Sequence, residues 1–136
     1  MNTIRIGGYN LKERGHIEQL WREEKYRVLL HSQKQYDAIR EKLKSQVSYE
    51  EIRMMIEHAI TIEPSQGSVI NAYDHMWGYF KKWATDEEKQ SAQKLKKLFI
   101  NHDVSIHDLM SFLSILADKY NVQYIQQSTC LLYTSP

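Results

Sequence analysis

The chain has 136 residues, of which 42% are hydrophobic and 26% charged, and its formal net charge is +1. This length fits one domain, and no apolar run approaches the ~18 residues of a membrane span or resembles the apolar core of a signal peptide. The single cysteine excludes a disulfide framework and any iron–sulfur or zinc site built from this chain's own thiolates. We therefore expect a small cytoplasmic domain with no membrane partner.

Turn-forming residues are scarce, with five glycines and one proline before the last residue. Strand-rich folds usually need more of both. Apolar residues instead recur at steps of three and four over several long stretches. The sequence predicts an all-α fold, a single compact bundle of about five helices formed by residues 1–129.

The first predicted helix extends from about Arg14 to Lys44. Its apolar positions follow the helical repeat, with charged residues between them. This is long for a helix in a globular domain, and the segment His31-Ser32-Gln33 marks a candidate kink or break.

The second predicted helix covers about Tyr49 to Ile62. Ser48 followed by Glu51 has the spacing of a capping box, in which the hydroxyl and the carboxylate satisfy first-turn amides reciprocally. Pro64 ends this helix because proline has no amide hydrogen and disfavours helical geometry in the preceding residue. After a loop, a third helical stripe extends from Val69 to Trp83.

A second capping box, Thr85 with Glu88, begins the fourth predicted helix, which continues to about Asn101. Ser105 is the expected cap of the fifth helix, Ile106 to Tyr120. That helix is the most apolar segment of the chain, so we expect it to be central to the core.

The C-terminal tail differs from the rest of the chain. Residues 130–136, Cys-Leu-Leu-Tyr-Thr-Ser-Pro, resemble the translated adapter read-through found at the ends of environmental gene fragments. We expect this tail to be non-native and the native C-terminus to be lost, so Cys130 is given no functional role.

The usual motifs of catalysis and metal binding do not occur in the sequence. The six histidines include no pair at the i, i+4 spacing that places two imidazoles on one helical face. There is no phosphate-cradling glycine loop and no G-x-S-x-G motif. We expect no metal and no cofactor, and we assign no catalytic residues from the sequence.

Two stretches are richer in functional side chains than a packing pattern requires. In residues 25–36, one polar stripe is predicted at i, i+4 and i+7, formed by Arg27, His31 and Lys34. Residues 74–82 contain a second stripe with the same spacing, formed by His75, Tyr79 and Lys82.

Positive charge is concentrated in one part of the chain. Residues 81–97 contain six lysines and three acidic residues, an excess of three positive charges in a chain whose total is +1. Cations interleaved with tyrosine and histidine suit a polyanion, because the cations meet phosphates and the rings offer stacking surfaces. The alternative is an ordinary solvated face, with histidines and tyrosines at the edge of the core.

The same stretches carry a family resemblance. From about Trp21 to Gln127 the chain resembles the YbgA-like family, a bacterial domain of unknown function. The matching residues are Lys25-Tyr26, Leu29-Leu30, His31-Ser32, Tyr36, His75, Gly78-Tyr79-Phe80-Lys81-Lys82 and Glu88-Lys89. The family's closing motif, Gln-x-Tyr-Leu followed by Pro-Tyr-Pro, is represented only by Tyr124-Ile125-Gln126-Gln127.

This resemblance implies a function that the residue pattern alone does not. The family domain occurs alone, and it also occurs fused behind a cysteine-ligated iron–sulfur desulfidase domain that removes sulfur from thiolated uracil or from thiouridine in transfer RNA. In the fused form, the helical domain is thought to bind the RNA. This chain lacks the cysteines of the catalytic domain, so we do not expect it to remove sulfur alone.

The leading hypothesis is a non-catalytic RNA-binding module, with transfer RNA as a candidate ligand, that acts beside a separate sulfur-removing or nucleic-acid-processing enzyme. The expected phosphate contacts are Lys25, Arg27, Lys34, Lys81 and Lys82. The residues expected to stack or to form hydrogen bonds are His31, Tyr36, His75 and Tyr79.

Two other functions remain open. The chain could be a protein-interaction module that docks on a desulfidase or photolyase-type partner through an apolar helix face. It could also be an enzyme that uses His31 and His75 as acid and base, since histidine titrates near neutral pH. The RNA hypothesis requires residues 25–36 and 73–82 to form a joint electropositive groove.

Overall fold

The computed structural model describes residues 5–6 and 9–134, and it confirms the all-α class. The helices are α1 (Leu11–His31), α2 (Gln33–Lys42), α3 (Tyr49–Ala59), α4 (Gln66–Trp77), α5 (Asp86–Ile100), α6 (Ile106–Lys119), α7 (Gln123–Gln126) and a 3₁₀ helix (Thr129–Thr134). Two strands of two residues each, β1 (Arg5–Ile6) and β2 (Tyr9–Asn10), pair antiparallel before α1.

The helices outnumber the predicted five because the first predicted helix is divided and the C-terminal region adds two short helices. The division falls at Ser32, which confirms the predicted break. Ser32 has extended backbone geometry, with φ −164° and ψ 113°, and its hydroxyl accepts a hydrogen bond from the Gln35 amide at 3.1 Å. Ser32 is therefore the N-cap of a separate helix, α2.

Capping boxes fix the starts of the next helices. The two predicted boxes, at Ser48 and at Thr85, are both present. Helix α6 begins after a box in which Asp108 replaces the usual glutamate, and α4 begins after one made by Ser65 and Ser68. The Ser65 box explains why α4 begins at Gln66, three residues before the predicted start.

Helix α4 also ends earlier than predicted. It stops at Trp77, and Gly78 is its C-cap. Residues 78–83 form turns rather than the last turns of a helix. Glycine favours this end because it has a low helix propensity.

The core has two parts that share α1. The larger one combines Tyr26, Leu29 and Leu30 of α1 with buried residues of α4, α6 and the C-terminal helices. As expected, α6 is central to it and contributes Leu109, Met110, Leu113, Leu116 and Ala117. The smaller part surrounds α2 and α3 and contains Ile17, Val28, Ile39, Val47, Ile52, Ile56 and Ala59. Helix α1 is therefore the element on which the two halves of the bundle are built.

The 3₁₀ helix packs against α1 and α6. Cys130 is fully buried, and burial raises the pKa of its thiol to about 12. The non-native origin of residues 130–136 stays a prediction, so we assign no function to this segment, whose last two residues lie outside the described ranges. Within those ranges, no helix has both the length and the apolar character needed to cross a bilayer.

Candidate nucleic-acid interface

The two stretches singled out in the sequence meet at a pair of tyrosines. Tyr26 lies on α1 and Tyr79 lies in the turn after α4, and their hydroxyl oxygens are 2.9 Å apart. Their rings pack edge to face with centroids 6.2 Å apart. Tyr26 is buried, and burial together with the hydrogen bond to Tyr79 raises its pKa. Tyr26 therefore stays protonated near neutral pH, and its contact with Tyr79 joins α1 to the end of α4.

A third tyrosine, contributed by α7, completes this group. The ring of Tyr124 stacks on Tyr79 with centroids 5.4 Å apart and meets the edge of Tyr26 at 6.2 Å. Sequence reasoning missed this role for Tyr124, although the residue belongs to the remnant of the closing motif. That motif was the only signal that could have identified it.

Two cations of α1 lie over these rings. The guanidinium carbon of Arg22 and the amine of Lys25 are each 4.8 Å from the centroid of Tyr124, and the Lys25 amine is 5.3 Å from that of Tyr26. Residues three apart share a helical face, which explains why both cations reach the same ring. We call Arg22, Lys25, Tyr26, Tyr79 and Tyr124 the tyrosine–cation cluster. Lys25 and Tyr79 were predicted, whereas Arg22 was missed because it precedes the conspicuous basic run.

The charges of this cluster are not neutralised within the described part of the chain. Neither Arg22 nor Lys25 has a carboxylate oxygen within 4.0 Å there. The Nε of Arg22 is buried and has no hydrogen-bond partner among the described residues. An unsatisfied buried donor costs about 1–3 kcal/mol, and cation–π contact offsets this by about 0.5–2 kcal/mol. The cluster is therefore suited to receive an anionic ligand.

Two predicted residues on α1 have their polar groups engaged within the protein. Arg27 pairs with the buried carboxylate of Glu24, with a distance of 3.4 Å between Nη1 and Oε1. His31 has its Nδ1 2.7 Å from the carbonyl oxygen of Ile62. Because a carbonyl only accepts, this nitrogen carries the hydrogen, and Nε2 lies within hydrogen-bond distance of the Tyr133 hydroxyl. Arg27 and His31 are therefore not part of the tyrosine–cation cluster.

The predicted stripe of Arg27, His31 and Lys34 is wrong, because the break at Ser32 places Lys34 in a different helix. Lys34 is exposed. Tyr36, also on α2, packs on Trp21 with ring centroids 5.5 Å apart.

The second predicted stripe is also incomplete. His75 is exposed on α4, where its Nδ1 lies 2.8 Å from the carbonyl oxygen of Asn71. Lys81 and Lys82 are exposed in the turns that follow Tyr79, outside α4. The early end of α4 therefore separates His75 from Tyr79 and Lys82, which belong to a turn rather than to the same helical face.

His31 does line a cavity, but together with a different histidine. The cavity has a volume of about 280 Å³ and is bordered by Leu30, His31, Pro64, Ile106, His107 and Tyr133. His75 is not among these residues, so the geometry gives no support to an acid–base pair of His31 and His75. The described residues also contain no group of three or more metal-ligating side chains placed to hold an ion.

Comparison with known proteins gives a family but no described activity. No curated protein and no solved structure matches the chain. The model of a family described as "Protein of unknown function (DUF1722)" matches residues 25–134, which include both sequence stretches and all of the tyrosine–cation cluster except Arg22. This match covers most of the chain and agrees with the resemblance to the YbgA-like proteins, which fall within that family, so the chain belongs to the DUF1722 family.

Proposed function

We propose that the chain is a non-catalytic RNA-binding module whose contact surface is the tyrosine–cation cluster together with Lys81 and Lys82. The module acts beside a separate sulfur-removing or nucleic-acid-processing enzyme, and transfer RNA is the candidate ligand. The observation that carries this proposal is that Arg22 and Lys25 lie over one tyrosine ring with no carboxylate partner in the described part of the chain.

Among the residues that the structure describes, the cations of this surface are free of ion pairs, as are several basic residues outside it. Several basic residues elsewhere are paired, among them Arg27 with Glu24, Lys96 with Asp74 and Lys119 with Glu88. Within the described ranges, the basic side chains with no carboxylate within 4.0 Å include Arg22, Lys25, Lys34, Arg40, Lys81, Lys82, Lys89, Lys94 and Lys97. A net charge of +1 gives no strong overall field, so RNA binding depends on such local groups.

The aromatic part of the surface is fixed before any ligand arrives. The hydroxyl contact between Tyr26 and Tyr79 and the stacking of Tyr124 on Tyr79 hold three rings in place. Tyr79 and Tyr124 are only half-buried. Rings held in this way lose little side-chain entropy on binding.

Binding of labelled transfer RNA over a salt series tests the proposal. Each phosphate contact predicts a slope of about −0.7 to −0.9 in a plot of log K against log salt. The double variant Arg22→Gln/Lys25→Gln should weaken binding roughly tenfold or more and reduce the slope by nearly two contacts. A matched control is Lys42→Gln/Lys44→Gln, which removes two exposed lysines that are paired with Glu51 and Glu41.

Two results would overturn the proposal. One is an absence of RNA binding, and the other is binding that does not change with salt. Co-purification with a protein partner that persists in high salt would instead favour the protein-interaction alternative.

A further inference from the structure

We infer that Trp83 is a stacking platform for an unpaired nucleotide of the bound RNA, an inference that rests on the proposed function. Trp83 is 56% exposed, although tryptophan is usually well buried. It lies in the turn segment that follows α4, immediately after Lys81 and Lys82. An exposed indole beside two lysines combines a surface for a base with groups for its phosphates.

The indole of Trp83 packs on a neighbouring aromatic ring. Its ring stacks on that of Tyr120, with centroids 6.4 Å apart and an angle of 27° between the planes. The Tyr120 hydroxyl donates to the Glu88 carboxylate at 2.5 Å. Glu88 in turn accepts from the Thr85 amide as part of the cap of α5. Trp83 therefore packs on Tyr120 and still keeps more than half of its surface exposed.

The backbone that carries the indole is equally well defined. The amides of Trp83 and Ala84 both donate to the carbonyl oxygen of Phe80, each at 2.9 Å. Phe80 is fully buried in the larger core. The turn is therefore anchored to the core, and the position of the indole is set before a ligand binds.

The two lysines next to the platform are placed to meet phosphates. Lys81 and Lys82 are exposed and have no carboxylate within 4.0 Å among the described residues. Lys119 lies 5.2 Å over the Tyr120 ring, but Glu88 neutralises it at 2.7 Å. Lys81 and Lys82 therefore precede Trp83 directly in the chain, whereas the exposed carboxylates of Asp86 and Glu87 follow it in the first turn of α5.

This chemistry distinguishes unpaired from paired RNA. In the interior of a duplex, each base is covered on both faces by its neighbours, so an indole has no free face to stack on there. In a loop or a single strand, an exposed base can stack on an aromatic ring. The ligand of this site is therefore a nucleotide in an unpaired segment, with its phosphates near Lys81 and Lys82.

The test compares variants of the full chain on three labelled RNAs, namely a single strand, a hairpin with an unpaired loop and a blunt duplex. Trp83→Ala should weaken binding to the first two at least about fivefold and leave duplex binding unchanged. Trp83→Phe should restore much of the loss because it keeps an aromatic face. Ile115→Ala is a matched control, because it removes another exposed apolar side chain, 66% exposed on α6, and should have no effect.

The outcomes distinguish a failure of the proposed RNA binding from a failure of the Trp83 stacking platform. If wild-type protein binds none of the three RNAs, both the proposed function and this inference are wrong. If it binds RNA but Trp83→Ala loses nothing, or loses equally on the duplex, the stacking platform is wrong and the proposed function stands. Circular dichroism of each variant shows whether it is folded. If Trp83→Ala is unfolded, RNA binding by Trp83→Phe is compared with that of the wild type instead.

Discussion

At the scale of single residues, Glu88 combines several roles. Its carboxylate accepts from the Lys119 amine at 2.7 Å, from the Tyr120 hydroxyl at 2.5 Å and from the Thr85 amide at 2.9 Å. The bonds from Lys119, from Tyr120 and from the Thr85 amide, in that order of effect, lower the pKa of Glu88 to about 2. This residue therefore links the start of α5 to the end of α6 and supports the ring on which Trp83 stacks.

This carboxylate should make the free energy of unfolding depend on pH. Because its pKa is lower in the folded protein than in the unfolded chain, the ionised form stabilises the fold above about pH 4.5. That stabilisation is lost as the pH falls towards 2. We expect Glu88→Gln to lower the free energy of unfolding at pH 7 by about 1 kcal/mol, and we expect the difference from wild type to shrink between pH 5 and pH 2.

Urea unfolding at pH 7, 5, 3 and 2 measures this difference. Glu87→Gln is the matched control, because Glu87 is an exposed neighbour in the same first turn of α5. If the free energy of unfolding differs between wild type and Glu88→Gln by the same amount at every pH, the ionised Glu88 carboxylate does not have the stabilising role assigned to it.

At the scale of elements, the sequence predicts the fold best where a local signal is sufficient. The starts of α3, α5 and α6 follow from Ser48, Thr85 and Ser105, because a cap depends on residues within one turn. The early end of α4 and the short helix α7 were not predicted. Four residues of α7 are too few to show an apolar repeat, and such a helix depends on tertiary packing.

The residues of the candidate site also fall into two groups, those that a local sequence pattern identifies and those that only tertiary packing brings together. Lys25 and Tyr79 could be found because both belong to conspicuous motifs. Arg22 meets Tyr124 across about a hundred residues of chain, and no local pattern indicates where α7 docks. The ion pair of Arg27 with Glu24 was not predicted, because the helical repeat does not reveal that Glu24 is buried.

The break between α1 and α2 gives a prediction at this scale. The Ser32 hydroxyl accepts from the Gln35 amide at 3.1 Å and satisfies an amide at the start of α2. We expect Ser32→Ala to lower the free energy of unfolding by about 1 kcal/mol. Ser32→Asp, which retains a capping acceptor, should restore most of it. Thermal and urea unfolding measure the effect, and equal stability of wild type and Ser32→Ala would show that the cap contributes nothing.

At the scale of the whole molecule, α1 is common to both parts of the core. Its Val28 faces the smaller part, whereas Leu29 and Leu30 face the larger one. Helices α2 and α3 pack on α1 and on each other. The tyrosine–cation cluster and Trp83 belong to the larger part, since Tyr79 and Tyr120 pack against it.

This division predicts that the smaller part can open without the larger one. Ile52 is fully buried in α3. Ile52→Ala leaves a cavity there and should cost about 2–5 kcal/mol, and we expect that loss to appear mainly in the hydrogen exchange of α2 and α3 amides. Leu113→Ala, an equivalent truncation in the larger part, should lower protection throughout the bundle, because α1 depends on that part. Native-state hydrogen exchange followed by NMR measures both.

If Ile52→Ala lowers the protection of α6 as much as that of α3, the bundle opens only as one unit. Selective opening of α2 and α3, by contrast, should leave RNA binding by the larger part unchanged in the Ile52→Ala variant.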